Sequence, residues 1–316
     1  MRVAQRSPDD DHESPVPFAE RAAAASRSTW ISVWVNVTLC TVQIVVGVFA
    51  RSQALIADGL HSLSDLISDF VVLGANRISG RSADAAHPYG YLRVETAASL
   101  VLGLILLAVG AGMLWSAAMK LEDPSAVAPV HVIALCVAIT TLVAKEALFR
   151  YMLAVAKRVK SSMLVANAWH ARSDAASSLV VSVGIIGNLL GFPLLDPIAA
   201  AIVGFMVARM GWSFGWQALR DLMDRAADEV EIAAIRATIA DTPGVRAVHD
   251  LRTRKTGDMI IADAHIEVDA TLSVEAGHAI AVAARNRVLQ RHRVLNLMTH
   301  IDPWKRPDGD HESPPA

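Results

Sequence analysis

Residues 54–65 read ALIADGLHSLSD, and residues 168–175 read AWHARSDA. Each stretch lies in an otherwise apolar run, yet each holds a histidine that is followed four residues later by an aspartate. Side chains at this spacing lie on the same face of an α-helix. If both runs are helices, each presents one imidazole and one carboxylate in the same direction. The pairs are His61 with Asp65 and His170 with Asp174.

These runs belong to a strongly apolar chain. Of its 316 residues, 53% are hydrophobic, and the mean hydropathy is +0.38. A bilayer core about 30 Å thick is crossed by about 20 apolar residues of helix. Several runs approach or exceed that length, so the sequence predicts an α-helical membrane protein with six transmembrane helices. The runs are residues 28–50, 54–76, 96–118, 128–152, 162–189 and 194–216.

Positive charge is distributed unevenly between the ends of these helices. Lys and Arg concentrate before the first run, between the second and third runs, and between the fourth and fifth. Because loops rich in Lys and Arg stay on the cytoplasmic side, we expect a multi-pass protein of the cell inner membrane, surrounded by lipid, with both termini in the cytoplasm. The formal net charge of −2 gives no indication of a nucleic-acid partner.

The chain changes character after Trp216, where charged and apolar positions begin to alternate as they do in a soluble domain. The pattern predicts the order helix, strand, strand, helix, strand, which indicates a small α+β domain. Both ends of the chain are polar and are expected to be disordered. The predicted domains are a cytoplasmic tail at 1–27, a transmembrane domain at 28–216, a cytoplasmic domain at 217–304 that binds metal and dimerises, and a tail at 305–316.

The two His–Asp pairs together form a candidate metal site. Two imidazole nitrogens and two carboxylate oxygens match the ligand number and type of tetrahedral zinc. A carboxylate inside a bilayer is costly unless a cation or a proton neutralises it. Histidine titrates near neutral pH and metals bind deprotonated ligands, so the residue types predict an exchange of metal for protons. A single pair could be a hydrogen bond between helices, but two pairs with one spacing favour metal.

Three further groups are weaker candidates. Asp84 and His87 lie in the link after the second run, where a turn at residues 88–90 is the simpler interpretation. Asp58 precedes His61 and is expected to cap its helix or to accept backbone hydrogen bonds. The third group is spread over the cytoplasmic domain, where spacing alone leaves metal binding open. Its members are His249, His265, His278, His300 and Asp302.

Four motifs, in this order along the chain, resemble those of the cation diffusion facilitator family. They are ALIADGLHSLSD at 54–65, HPYG at 87–90, AWHARSDA at 168–175 and HIDP at 300–303. The resemblance implies six helices, a ferredoxin-like cytoplasmic domain, a homodimer and proton-coupled metal export, and therefore a protein that is not an enzyme. It also implies that the two His–Asp pairs are the transport site, and that the third group is a binuclear site at the cytoplasmic dimer interface.

One position departs from the family pattern. Family members that bind metal in the link between the second and third helices have a second histidine four residues after the first, and Tyr91 stands there instead. A neutral phenol is a poor ligand for zinc. The resemblance therefore implies a weak or absent metal site at Asp84 and His87.

The ligand types leave the identity of the metal open. The resemblance favours zinc, both as substrate and as a regulatory ion, and iron(II), cobalt, nickel, cadmium and manganese remain alternatives. A metal-sensing membrane scaffold that transports nothing is an alternative from another class. An intramembrane metalloenzyme is disfavoured, because the sequence holds no HExxH motif and no nucleophile beside a base.

Overall fold

The structure is a computed structural model that describes residues 18–123, 127, 129–158, 162–257 and 259–304. Of the predicted tails at 1–27 and 305–316, only residues 18–27 are among those described, and they are helical. The first helix therefore begins earlier than the predicted residue 28. Six long helices come first along the chain: α1 Phe18–Phe49, α2 Gln53–Ser79, α3 Arg93–Glu122, α4 Val132–Arg158, α5 Ser162–Leu189 and α6 Leu195–Leu222.

Four of these helices are apolar as well as long enough to cross a membrane, as judged over the described residues. They are Trp30–Phe49 within α1, Arg93–Glu122, Val132–Arg158 and Leu195–Leu222. Helices α2 and α5 have 27 and 28 residues, which at about 1.5 Å per residue also exceeds the bilayer core. Their composition is more polar because they carry the His–Asp pairs and several serines. That α2 and α5 also cross the membrane stays a prediction.

The chain forms two compact units. The first contains the chain up to Asp69 and Leu106–Met210, and the second contains Phe70–Ile105 and everything from Gly211 onward. In the first unit the core is built largely from alanine and valine. A Cβ on Gly110 would lie 2.5 Å from the backbone nitrogen of Ala208, so only glycine permits this approach of α3 to α6.

The start of α2 is capped by residues other than Asp58. The Ser52 hydroxyl accepts a hydrogen bond from the backbone N–H of Leu55 at 3.2 Å. The carboxylate of Asp196 in α6 accepts from the Ser52 hydroxyl at 2.6 Å and from the backbone N–H of Gln53 at 2.7 Å. The expectation that Asp58 caps its helix is therefore wrong, since these partners already satisfy the helix end.

The second unit contains the predicted α+β domain in the predicted element order. Its elements are α7 Glu229–Ala240, β1 Ala247–Thr256, β2 Met259–Asp269, α8 Val274–Arg291 and β3 Val294–Trp304. The sheet order is β1-β2-β3, with β1 antiparallel and β3 parallel to β2. The even-numbered residues of β2, from Ile260 to Val268, are buried and pack with α7 and α8. Because side chains alternate along a strand, the odd-numbered residues, including His265, lie on the opposite face.

Candidate metal centres

The first candidate centre lies between α2 and α5. One ligand atom from each of His61, Asp65 and Asp174 lies within 4.8 Å of the others. The i and i+4 spacing on α2 puts His61 beside Asp65, with His61 Nδ1 3.7 Å from Asp65 Oδ2. Three residues of the predicted transport site are thus brought together by two helices that are far apart in sequence.

His170, the fourth residue of the predicted set, lies in α5 one helical turn before Asp174. Its side chain is outside those that the structure describes. The backbone position alone is compatible with the prediction, because residues four apart share a helix face. The membership of His170 in the site stays a prediction.

The surroundings of this centre are polar but enclosed. The side chain of His61 is 7% exposed and that of Asp65 is 20% exposed. The recess beside Asp65 and Asp174 is also lined by Asn36, Ser62, Lys145, Leu148 and Ala171. The hydroxyl of Ser62 is buried, and among the described residues it has no hydrogen-bond partner. An orphaned hydroxyl beside two carboxylates fits a recess that takes a hydrated or directly bound cation.

Lys145 was missed by the sequence analysis. It lies in the middle of α4, and its side chain is only 3% exposed. The available signal was a lysine inside an apolar run, because such a residue is rare within a membrane helix and needs a partner there. That partner is the carboxylate of Asp58, with Lys145 Nζ 3.4 Å from Asp58 Oδ1.

The link between α2 and α3 holds its acidic side chain in an internal turn. Asp84 Oδ2 accepts a 2.6 Å hydrogen bond from the Tyr91 hydroxyl, and Oδ1 accepts from the backbone N–H of Ala86 and of His87. The Tyr91 hydroxyl, followed by the His87 N–H, lowers the pKa of Asp84 below its ordinary value, and the same bond raises the pKa of Tyr91. Asp84 and His87 are about half exposed, with His87 Nδ1 3.6 Å from Asp84 Oδ1. The geometry is that of a closed turn, in which Tyr91 occupies one carboxylate oxygen.

The second candidate centre is a row of histidines across the sheet. His249 of β1 is in register with His265 of β2, and His265 is in register with His300 of β3. The ring centres are 5.1 Å apart for the first pair and 4.7 Å apart for the second. Asp302, two residues after His300, lies on the same face of β3. Strand register therefore brings these side chains together, as the i and i+4 spacing brings His61 beside Asp65 within α2.

Asp302 is the common partner of this row. Its Oδ2 lies 2.9 Å from His265 Nδ1 and 3.2 Å from His249 Nε2, and its Oδ1 lies 3.3 Å from His300 Nε2. One carboxylate among three imidazoles supplies nitrogen and oxygen donors of the kind that zinc and other late first-row metals bind. The residues present therefore fit a transition-metal ion.

The structure separates one predicted member from this row and adds two residues. His278 is exposed on α8 and belongs to none of the ligand groups found in the described part of the chain. Glu267 Oε1 lies 3.7 Å from His249 Nε2, and Asp250 forms a ligand group with His249 and His265. Glu267 could have been found from its spacing of two residues from His265. The position of Asp250 depends on a bulge between His249 and Arg252, which no spacing in the sequence predicts.

Comparison with known proteins assigns both regions. The family model of the cation efflux transmembrane domain matches residues 29–223, and that of the cation efflux protein cytoplasmic domain matches residues 227–304. Metal tolerance protein C1 of Arabidopsis thaliana is 34% identical over 85% of this chain, which spans 60% of that relative. Magnetosome protein MamB of Magnetospira sp. (strain QH-2) is 33% identical over 82% of this chain and 88% of its own length. Manganese efflux system protein MneS of Bacillus subtilis is 30% identical over 87% of this chain and 94% of its own length.

Proposed function

This chain belongs to the cation diffusion facilitator family of metal efflux transporters, which are membrane proteins and not enzymes, and on that premise we propose that it exports zinc from the cytoplasm in exchange for protons. The observation that carries the proposal is the convergence of His61, Asp65 and Asp174 within 4.8 Å. We assign His170 to the same site from its position in α5.

The choice of zinc follows from the donor atoms. A site of two imidazoles and two carboxylates has the number and type of ligands that tetrahedral zinc takes, whereas sites made of oxygen alone suit manganese or magnesium. Relatives are named for manganese efflux and for magnetosomes. Manganese, iron(II), cobalt, nickel and cadmium are the competing substrates, and the recess oxygens of Asn36 and Ser62 are a feature that favours manganese among them.

The exchange with protons follows from the cost of burying carboxylates. The cation of the recess, Lys145, is paired with Asp58. We propose that metal in one state and protons in the other balance the charge of the carboxylates of Asp65 and Asp174. Metal binding requires deprotonated ligands, so protons entering from outside the cell would release the metal there. In this proposal the protein lies in the inner membrane with both termini in the cytoplasm.

For the cytoplasmic domain we propose a homodimer with a regulatory metal site. The matched family domain is named for dimerisation, and the histidine row lies on the face of the sheet opposite α7 and α8. His278, which lies away from the row, would bind a second ion near the interface of the two copies. We propose that metal bound at Asp302 reports cytoplasmic metal level to the dimer.

A metal-sensing scaffold without transport is the second candidate. It is favoured by the same row, because three histidines around one carboxylate make a binding site without any contribution from the six helices. It requires that metal binding to the cytoplasmic domain proceeds while no metal crosses the membrane.

The test is metal uptake by the purified full chain in proteoliposomes, with and without an imposed pH gradient. Zinc is compared with manganese, iron(II), cobalt, nickel and cadmium. The proposal predicts zinc uptake that depends on the gradient. Faster uptake of another metal would identify that metal as the substrate instead of zinc. Uptake that does not depend on the gradient would contradict proton exchange. No uptake by folded dimers would favour the scaffold.

A further inference from the structure

A single buried carboxylate joins four helices next to the transport site. Asp58 of α2 is 1% exposed in its side chain. Its Oδ2 accepts hydrogen bonds from Gln43 Nε2 of α1 at 2.5 Å and from the Ser178 hydroxyl of α5 at 2.6 Å. Its Oδ1 accepts from the Ser177 hydroxyl at 2.8 Å and from Lys145 Nζ of α4 at 3.4 Å.

Lys145 links this carboxylate to the site itself. Besides Asp58, its ammonium group contacts the backbone carbonyl of Asp174 at 3.4 Å, and the Ser177 hydroxyl lies 2.7 Å from the same carbonyl. A buried ammonium and a buried carboxylate are each costly alone, so the two hold one another in place. We call the group of Gln43, Asp58, Lys145, Ser177 and Ser178 the polar clamp.

The polar clamp lies on one side of the metal ligands. Asp58 precedes His61 along α2, whereas Ser177 and Ser178 follow Asp174 along α5. The clamp therefore lies on the side of the metal ligands that faces the start of α2 and the end of α5. Side-chain exposure falls towards it, from 20% at Asp65 to 7% at His61 and 1% at Asp58. The site is thus more open away from the clamp than towards it.

The next layer beyond the polar clamp is also closed. Ser182, one helical turn after Ser178, is 2% exposed, and its hydroxyl donates to the Ser178 carbonyl at 2.8 Å. The neighbouring positions are fully buried as well, namely Val181 and Ile185 on either side of Ser182 in α5, and Leu55 one turn before Asp58 in α2. A metal ion leaving in this direction has to pass the clamp and then this layer.

We propose that the polar clamp is the gate that closes the transport site on the side where α2 begins, and that Asp58 and Lys145 are positioning residues which hold α2, α4 and α5 together in that closed state. The proposal rests on the proposed function, because a gate matters only if metal passes the site. The ion pair supplies a reversible contact, since both groups return to water or to other partners when the helices separate. In the predicted orientation this side faces away from the cytoplasm.

The experiment measures access to a cysteine placed just beyond the clamp. Cys40 and Cys136 are first replaced by serine, and Ser182→Cys is introduced into the full chain. Proteoliposomes are treated with a membrane-impermeant, positively charged methanethiosulfonate reagent on the side where α2 begins. We expect slow modification of the cysteine at 182, and modification faster by about tenfold or more when Lys145→Met breaks the ion pair.

The controls separate loss of the clamp from general damage. Lys157→Met removes a lysine from the exposed end of the same helix and is expected to leave the rate unchanged. Lys145→Arg keeps the cation and is expected to restore most of the protection. Ser178→Ala, which removes one neutral donor and keeps both charges, covers the case in which Lys145→Met does not fold, and is expected to raise the rate by a smaller factor.

Equal modification rates in Lys145→Met, Ser178→Ala and Lys157→Met would overturn the proposal. The labelling needs no transport, so its outcome is independent of zinc uptake measured on the same vesicles. If the clamp variants expose the cysteine but the vesicles take up no metal, the proposed transport function is contradicted. The polar clamp would then still be a closed barrier, but not a gate for transported metal. Uptake without any effect of the clamp variants would contradict the gate alone.

Discussion

The α2–α5 site and the histidine row of the cytoplasmic domain use the same residue types in different backbone geometry. Helix periodicity joins His61 to Asp65 in a recess of low exposure, whereas strand register joins His249, His265 and His300 on an open face of a sheet. Ionisable residues in a membrane-helix recess of low exposure are typical of an ion pathway. An exposed row suits an ion that equilibrates with the cytoplasm. This difference supports our proposal that the first region transports metal and the second region senses it.

The largest effect separating the two regions is expected from loss of a recess ligand. Asp65→Ala should remove one bound zinc per chain, with an affinity loss of about 100-fold or more at the α2–α5 site, because it deletes a direct ligand. Equilibrium dialysis of the full chain with zinc measures the stoichiometry. Asp69→Ala, one helical turn further along α2, is the matched control and should keep zinc binding at both the α2–α5 site and the histidine row. A normal zinc count in Asp65→Ala would contradict the assignment of Asp65.

A smaller effect is expected when the row loses its common partner. Asp302→Ala should weaken metal binding to the cytoplasmic domain by about 10- to 100-fold, because the carboxylate contacts all three histidines. Titration of the full chain with zinc measures this loss. Zinc flux through the membrane domain should persist, at a rate that no longer responds to cytoplasmic zinc.

Asp263→Ala on the same face of β2 is the control for this variant, since Asp263 is exposed and belongs to no ligand group in the described residues. If Asp302→Ala abolished flux as completely as a recess variant does, the two regions would share one function and the division between them would fail.

The α2–α3 link offers a gain of binding that sharpens the comparison. Tyr91→His would release the oxygen of Asp84 that the phenol now occupies and would supply the second histidine of the family pattern. We expect one additional, weakly bound zinc per chain by equilibrium dialysis. Tyr91→Phe releases the same oxygen without adding a ligand, so it should add no zinc. An extra zinc in both variants would mean that Asp84 and His87 suffice.

The smallest expected effect is on the titration of Asp84. Because the Tyr91 hydroxyl lowers the pKa of Asp84, Tyr91→Phe should raise that pKa towards its ordinary value. The lowered pKa means that the turn is stabilised above the unfolded-state pKa, and that this stabilisation is lost as pH falls through the folded-state value. NMR titration of the carboxyl carbon measures the shift. An unchanged pKa would show that the backbone N–H groups alone hold the carboxylate.

The sequence predicted the elements and part of each site for identifiable reasons. Apolar runs and turn residues predicted the helices and the order of the α+β domain, and the i and i+4 spacing predicted that His61 and Asp65 share a face. The start of α1 at Phe18 was missed because residues 18–27 are not uniformly apolar. Contacts between distant elements were also missed, since nothing in the spacing connects Lys145 to Asp58 or Asp196 to the start of α2.

The cytoplasmic row shows the same limit. His265 and Glu267 alternate visibly along one strand, so their shared face could be read from the sequence. The place of Asp250 depends on a bulge in β1, and its backbone φ of 46° is a conformation that aspartate adopts more readily than most residues. Register and bulges are set by packing across strands, which a single chain pattern does not specify.

The most direct test of the account compares zinc flux in Asp174→Ala and Asp302→Ala proteoliposomes under the same pH gradient. We expect Asp174→Ala to reduce flux to about 1% of wild type or less while the dimer still elutes intact, because the recess loses a ligand. We expect Asp302→Ala to keep flux within about threefold of wild type at saturating zinc. Wild-type flux in Asp174→Ala, or equal loss in both variants, would contradict the account.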